Sequence, residues 1–98
     1  MAEVKRLRAA RPDKPYQALF GVLQGANYED LRKQTAEFLG AMDFDGYGIG
    51  GALEKETMAQ TIQWVNRILP ENKPRHLLGI SEPDDIFAAI EQGIDTFD

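Results

Sequence analysis

At 98 residues with a net charge of -5 and no cysteine, the chain has room for one small domain and excludes disulfides, thiolate nucleophiles and cysteine-based metal sites within itself. Its 11 Lys and Arg stand against 16 Asp and Glu, a balance that disfavours the non-specific attraction to phosphate backbones on which a basic nucleic-acid clamp depends. Hydrophobic residues at 43% give ordinary folded-domain composition; no apolar run approaches the ~20 residues of a membrane span, and MAEVKRLRAARPDK lacks the apolar centre of a signal peptide, so a cytoplasmic location without membrane partners is the default expectation.

Residues 1–15 read as a short helix and a loop, because AEVKRLRAA favours helix and Pro12 and Pro15 interrupt it. Its Lys5, Arg6, Arg8 and Arg11 read as a solvated face rather than an RNA site. In YQALFGVLQG the stretch Ala18 to Leu23 is apolar at nearly every position, the mark of a strand covered on both faces. NYEDLRKQTAEFLGAMD predicts an amphipathic helix with Asn27 as N-cap and with Glu29 and Asp30 at the positive end of the dipole. FDGYGIGG then supplies a short strand closing on Gly50 and Gly51, and Met58, Ile62, Val65 and Leu69 form the stripe of a second helix that Pro70 stops. RHLLGI predicts a third strand. SEPDDIFAAIEQG predicts a third amphipathic helix, with Ser81 and Asp84 spaced as a capping box and Gly93 as C-cap, and Ile94 to Phe97 begin a fourth strand.

The order is a helix followed by βαβαβαβ over residues 16–98, one α/β domain with a parallel sheet and right-handed crossovers. An open doubly wound sheet and an arc of a (βα)8 barrel both satisfy that pattern. In either, ligands bind at the C-terminal ends of the strands, where the chain places Gln24, Gly50 and Gly51, Gly79 and Ile80, and Asp98. The Gln24 amide both donates and accepts, as reading the edge of a purine-like base requires. Paired glycines let backbone groups approach a ligand, although GYGIGG is not a dinucleotide fingerprint. Gly79 and Ile80 offer shape rather than chemistry, and the Asp98 carboxylate is a candidate nucleophile or general base. His76 lies toward the start of its strand, where a stability role is expected, and Asp43 and Asp45 read as solvated turn acids.

ALFGVLQG, then DFDGYGIGG with Glu56 beyond it, then LPENKPRHLLGISEPDDIFAAIEQGIDTFD resemble the tRNA-guanine transglycosylases, also called queuine tRNA-ribosyltransferases, over about residues 17 to 98. The resemblance implies half of a (βα)8 barrel, from an enzyme that exchanges the wobble guanine of certain tRNAs for a deazaguanine base. It implies that Gln24 and the backbone of Gly50 and Gly51 hold the base, that Glu56 supports the peptide near the base's side group, and that Leu78 and Gly79 line the pocket. Leu78 and Ala52 stand where bacterial members often carry methionine and leucine. Asp98 matches the nucleophile that forms a covalent ribosyl intermediate. The family's other aspartates would lie upstream and its structural zinc ligands downstream, so no cofactor is expected within these residues, and the segment is expected to be part of a longer enzyme, inactive alone and prone to homo-oligomerise. A non-catalytic half-barrel that pairs with or scaffolds another chain is the alternative, and a small doubly wound ligand-binding module a third reading.

Overall fold

The computed structural model describes residues 1–51, 53–80 and 82–98, and within them helices and strands alternate in the expected order. After α1 (Ala2–Ala10) come β1 (Phe20–Leu23), α2 (Glu29–Gly40), β2 (Gly46–Ile49), a single 3-10 turn (Lys55–Thr57), α3 (Met58–Asn66), β3 (Arg75–Leu77), α4 (Pro83–Glu91) and β4 (Thr96–Phe97). All neighbouring strands pair in parallel, in the order β1-β2-β3-β4. That order chooses between the two architectures. Right-handed crossovers that always step to the next strand put every helix on one face, whereas a doubly wound sheet reverses direction and uses both. Consistently, α3 packs against both α2 and α4. The molecule is an arc of parallel strands and helices, matching part of a (βα)8 barrel.

The core lies between the sheet and the helices. Leu23, Tyr47, Ile49 and Leu77 from the strands meet Ala36 of α2, Met58, Ile62 and Val65 of α3, and Ala89 of α4, all buried. Burying an aliphatic side chain of this size contributes about 1.5–3 kcal/mol, so this single layer carries most of the hydrophobic stabilisation. The opposite face of the sheet is open: Phe20 and Val22 are 39% and 45% exposed. Strands read as covered on both faces are therefore covered on one only among the described residues. The β1 sequence is apolar throughout because, in a barrel, its second face packs against the other strands rather than against a helix.

Helix ends differ in detail from the expectation. α2 begins after Tyr28, which makes no side-chain cap bond; Asn27 sits instead inside a turn closed by the Tyr28 N–H donating to the Gly25 carbonyl, so it is not the N-cap. The N-cap of α4 is Glu82, and Ser81 of the expected capping box lies outside the described residues. Gly93 does terminate α4, one residue beyond the C-cap Gln92. Its φ of +99° allows the Gly93 N–H to reach the Ile90 carbonyl and the Ile94 N–H to reach that of Ala89, the paired bonds of a Schellman end. α1 buries no residue; it is tied down by Arg8, which stacks on Tyr16 and pairs with Asp45 at 3.2 Å. Asp45 also accepts from the Tyr16 hydroxyl and the Leu19 N–H, so this turn acid anchors the N-terminal segment.

Candidate active site

Strand register builds the site. Leu23, Ile49, Leu77 and Phe97 are paired across the four strands, so the next residues, Gln24, Gly50, Leu78 and Asp98, form a row at the C-terminal edge. Because side chains alternate between faces and Leu23, Ile49 and Leu77 point into the core, this row belongs to the open face. One step back, Val22, Gly48, His76 and Thr96 form a second row on the same face. Four strand-end positions separated in the sequence thus meet on one surface.

Its floor is glycine. Leu78 reaches over β2, its Cδ1 lying 3.0 Å from where a Gly50 side chain would begin and 3.5 Å from the same point at Gly48; Val22 lies 3.6 Å from that point at Gly48. Leu78 and Val22 together thus cover the bare glycine backbone of β2. Gly51 turns the chain away at a φ of +78°, and a methyl group there would collide with the Gln24 Oε1. Only glycine lets the Gln24 amide lie against this turn. Glu56 lies exposed on the 3-10 turn, and among the described residues no hydrogen bond joins it to Gln24, Gly50 or Gly51. Ala52, expected to wall the pocket, lies outside the described residues.

At the other end of the row, the Asp98 Oδ1 accepts the Gly79 N–H at 2.9 Å and stands 3.5 Å from the His76 Nε2. Gly79 has a φ of +76°, so the chain turns at the residue whose N–H meets the carboxylate. That bond, with His76 adding a smaller effect, holds the Asp98 carboxyl below the usual carboxylate range. Both contacts fall on Oδ1. His76 Nδ1 lies 2.7 Å from the Thr96 Oγ1. The ring thus sits between the Thr96 hydroxyl and the Asp98 carboxylate. His76, read from the sequence as a stability residue, in fact shares the open face with Asp98. Its register against Thr96 could have shown this only once the β3–β4 pairing was known.

Buried Arg32 also escaped the sequence reading. It lies beneath the loop after β1 and donates to the carbonyls of Leu23, Ala26 and Gly51. Two grooves lie at the opposite, N-terminal ends of the strands, one between α1 and residues 14–19 and one around Asn66, Arg75 and Gln92. Neither gathers the strand-end row. No group of three or more His, Cys, Asp or Glu able to hold a metal occurs among the described residues, so the zinc implied by the resemblance has no ligand set in them. None of their helices is long and apolar enough to cross a membrane.

The family model for queuine tRNA-ribosyltransferase matches residues 1–98. Among curated proteins, the chain is 52% identical over 84 residues to a protein of Archaeoglobus fulgidus provisionally named a queuine tRNA-ribosyltransferase, covering 84% of this chain and 21% of that protein. It is 47% identical over 92 residues to the queuine tRNA-ribosyltransferase of Enterococcus faecalis, covering 91% and 24%, and 44% identical over 97 residues to that of Thermoanaerobacter sp., covering 96% and 26%. The chain thus spans about a quarter or less of the length of these relatives. On the model match and these identities, the chain belongs to the queuine tRNA-ribosyltransferase family.

Proposed function

We propose that these residues supply the nucleophile and part of the base pocket of an enzyme that exchanges a guanine in tRNA for a deazaguanine. The observation that carries this reading is the row Gln24, Gly50, Leu78, Asp98, with a base-reading amide at one end and an oriented carboxylate at the other. The purine stacks on the apolar cover that Leu78 and Val22 make over the glycines, and the Gln24 amide and the Gly50 and Gly51 backbone meet its edge. Glu56 supports the peptide near the base's side group.

Asp98 attacks through one carboxylate oxygen. A bond forms between that oxygen and the ribose anomeric carbon while the glycosidic C–N bond breaks, its electron pair leaving with guanine, which takes a proton from an acid outside these residues. The incoming base then attacks the same carbon from the vacated side, releasing the carboxylate and losing its own ring proton. Two displacements retain configuration, as in glycosidases that use one carboxylate covalently. The Gly79 N–H keeps Asp98 ionised and aimed, and the His76 ring stands beside the same carboxylate oxygen. No step runs through zinc.

In this reading residues 16–98 are one arc of the barrel in a longer cytoplasmic protein, with α1 and its loop as an appendage. Unmodified tRNA, incubated with the complete cellular protein, should form a covalent adduct on denaturing gels that Asp98→Asn abolishes. An undiminished adduct in that variant would move the nucleophile elsewhere. The second reading is a non-catalytic barrel segment that pairs with another chain, favoured by the net charge of -5. Adduct formation by the wild-type protein discards it.

A further inference from the structure

Arg32 stands apart from the other charges of α2. Glu29 and Asp30 are exposed, while Arg32 has no accessible surface. Its guanidinium reaches no carboxylate among the described residues, only three backbone carbonyls: Nε donates to Ala26 at 2.6 Å, Nη1 to Leu23 at 3.4 Å and Nη2 to Gly51 at 2.7 Å. Burial pushes its pKa down, and a buried cation facing neutral acceptors alone is an expensive way to fill a core.

The identity of those acceptors gives the expense a purpose. Leu23 precedes Gln24, Ala26 follows it by two residues, and Gly51 is the turn against which the Gln24 side chain rests. Ala26 holds a φ of +49°, a left-handed conformation that costs a residue with a Cβ about 1 kcal/mol or more and persists only where its surroundings impose it. A rigid guanidinium fork can bridge several acceptors at once in a way that a lysine point charge does not.

Resting on the functional reading above, we propose that Arg32 is a positioning residue for the base pocket, its guanidinium locking the loop that carries Gln24 to the Gly51 turn so that amide and glycine backbone meet one purine edge together. Arg32 touches no substrate; it acts through Gln24 and Gly51.

The test uses the complete cellular protein, labelled guanine and tRNA. Arg32→Lys keeps the charge and loses the fork. It should raise KM for guanine about tenfold while kcat at saturating guanine stays within about twofold. An unchanged KM, or a fall in kcat that tracks a loss of folded protein, would overturn the proposal. Arg32→Gln, uncharged and able to serve fewer of the carbonyls, is the second variant should the lysine fail to fold, with the same expected rise in KM. Failure of both to fold would assign Arg32 to fold stability alone. If the wild-type protein exchanges no base, the functional reading falls on its own; guanine affinity by calorimetry then decides for Arg32, an undiminished affinity in Arg32→Lys overturning its role.

Discussion

At the scale of single residues, the strand-end row was legible wherever a polar or glycine position followed an apolar strand run. Gln24, Gly51 and Asp98 could be named because each ends such a run, and parallel sheets bind ligands at that edge. His76 and Arg32 could not. The face on which His76 stands depends on strand pairing, and Arg32, between Asp30 and Lys33 in the sequence, looks like any solvated helix charge until the loop after β1 folds over it. Gly51 is the position where conformation and space coincide most tightly. An added methyl would meet the Gln24 side chain and lie 3.2 Å from the Gln24 Cα at a φ of +78°. Gly51→Ala should therefore lower guanine affinity about tenfold or more and cost about 1–3 kcal/mol of stability, whereas at Gly48 the methyl would find Leu78 and Val22 at ordinary contact distances of 3.5 and 3.6 Å, and Gly48→Ala should fold as well as wild type. Calorimetric titration with guanine and urea unfolding of both variants check the contrast; equal behaviour would remove the special status of the Gly51 turn.

Among the elements, periodicity located every helix and strand, since apolar stripes at helical spacing and short apolar runs carry their own signal. Helix boundaries were less legible than the helices themselves: the stripe from Met58 reads as running to Pro70, whereas α3 ends at Asn66. Asn27 has the right chemistry for an N-cap, yet the turn from Gly25 to Tyr28 claims it first, and such competition between neighbouring turns is invisible to residue type alone. Gly93 was readable because one residue type suits a left-handed end. Its position also joins α4 to β4 and so helps set where Asp98 arrives. A side chain at Gly93 would begin 3.1 Å from the Arg75 Nη1 and 3.2 Å from the Asn66 Nδ2. Those two groups themselves brace the N-terminal ends of the strands, Arg75 by donating to the Leu69 carbonyl and Asn66 to that of Gln92. Gly93→Ala should thus combine backbone strain with displacement of both braces and destabilise by about 1–2 kcal/mol. Chemical denaturation measures it, and a variant as stable as wild type would show that α4 ends without need of the left-handed turn.

At the scale of the whole molecule, the sequence announced strands and helices but not how far the arc would close, because four strands are half of the eight with which a (βα)8 barrel closes. The radius of gyration is 14.4 Å, above the about 13 Å of a compact domain of this length. β1 pairs only with β2 and β4 only with β3, so each outer strand keeps an open edge, and unpaired edges are templates for association. Apolar side chains gather on the same uncovered surfaces. Phe20 and Val22 lie on the open face, Leu31 and Phe38 on α2, and Phe87 and Ile90 on α4, with exposures from 39% for Phe20 to 67% for Phe87. α3, between the two end helices, has its Met58, Ile62 and Val65 buried, which is the cover that α2 and α4 would gain from barrel neighbours. Relatives about four times longer have chain enough to provide it. Residues 1–98 on their own should therefore associate into dimers or larger assemblies that bury the open face and the strand edges. Light scattering at micromolar concentration reads the outcome directly. A monodisperse mass of one chain would show that the arc shields its own edges, with α1 or the loop after it folding across β1. A mass of two or more that falls to one on changing Phe20 and Val22 to glutamate would place the contact on the open face, the surface that in the functional reading receives the base.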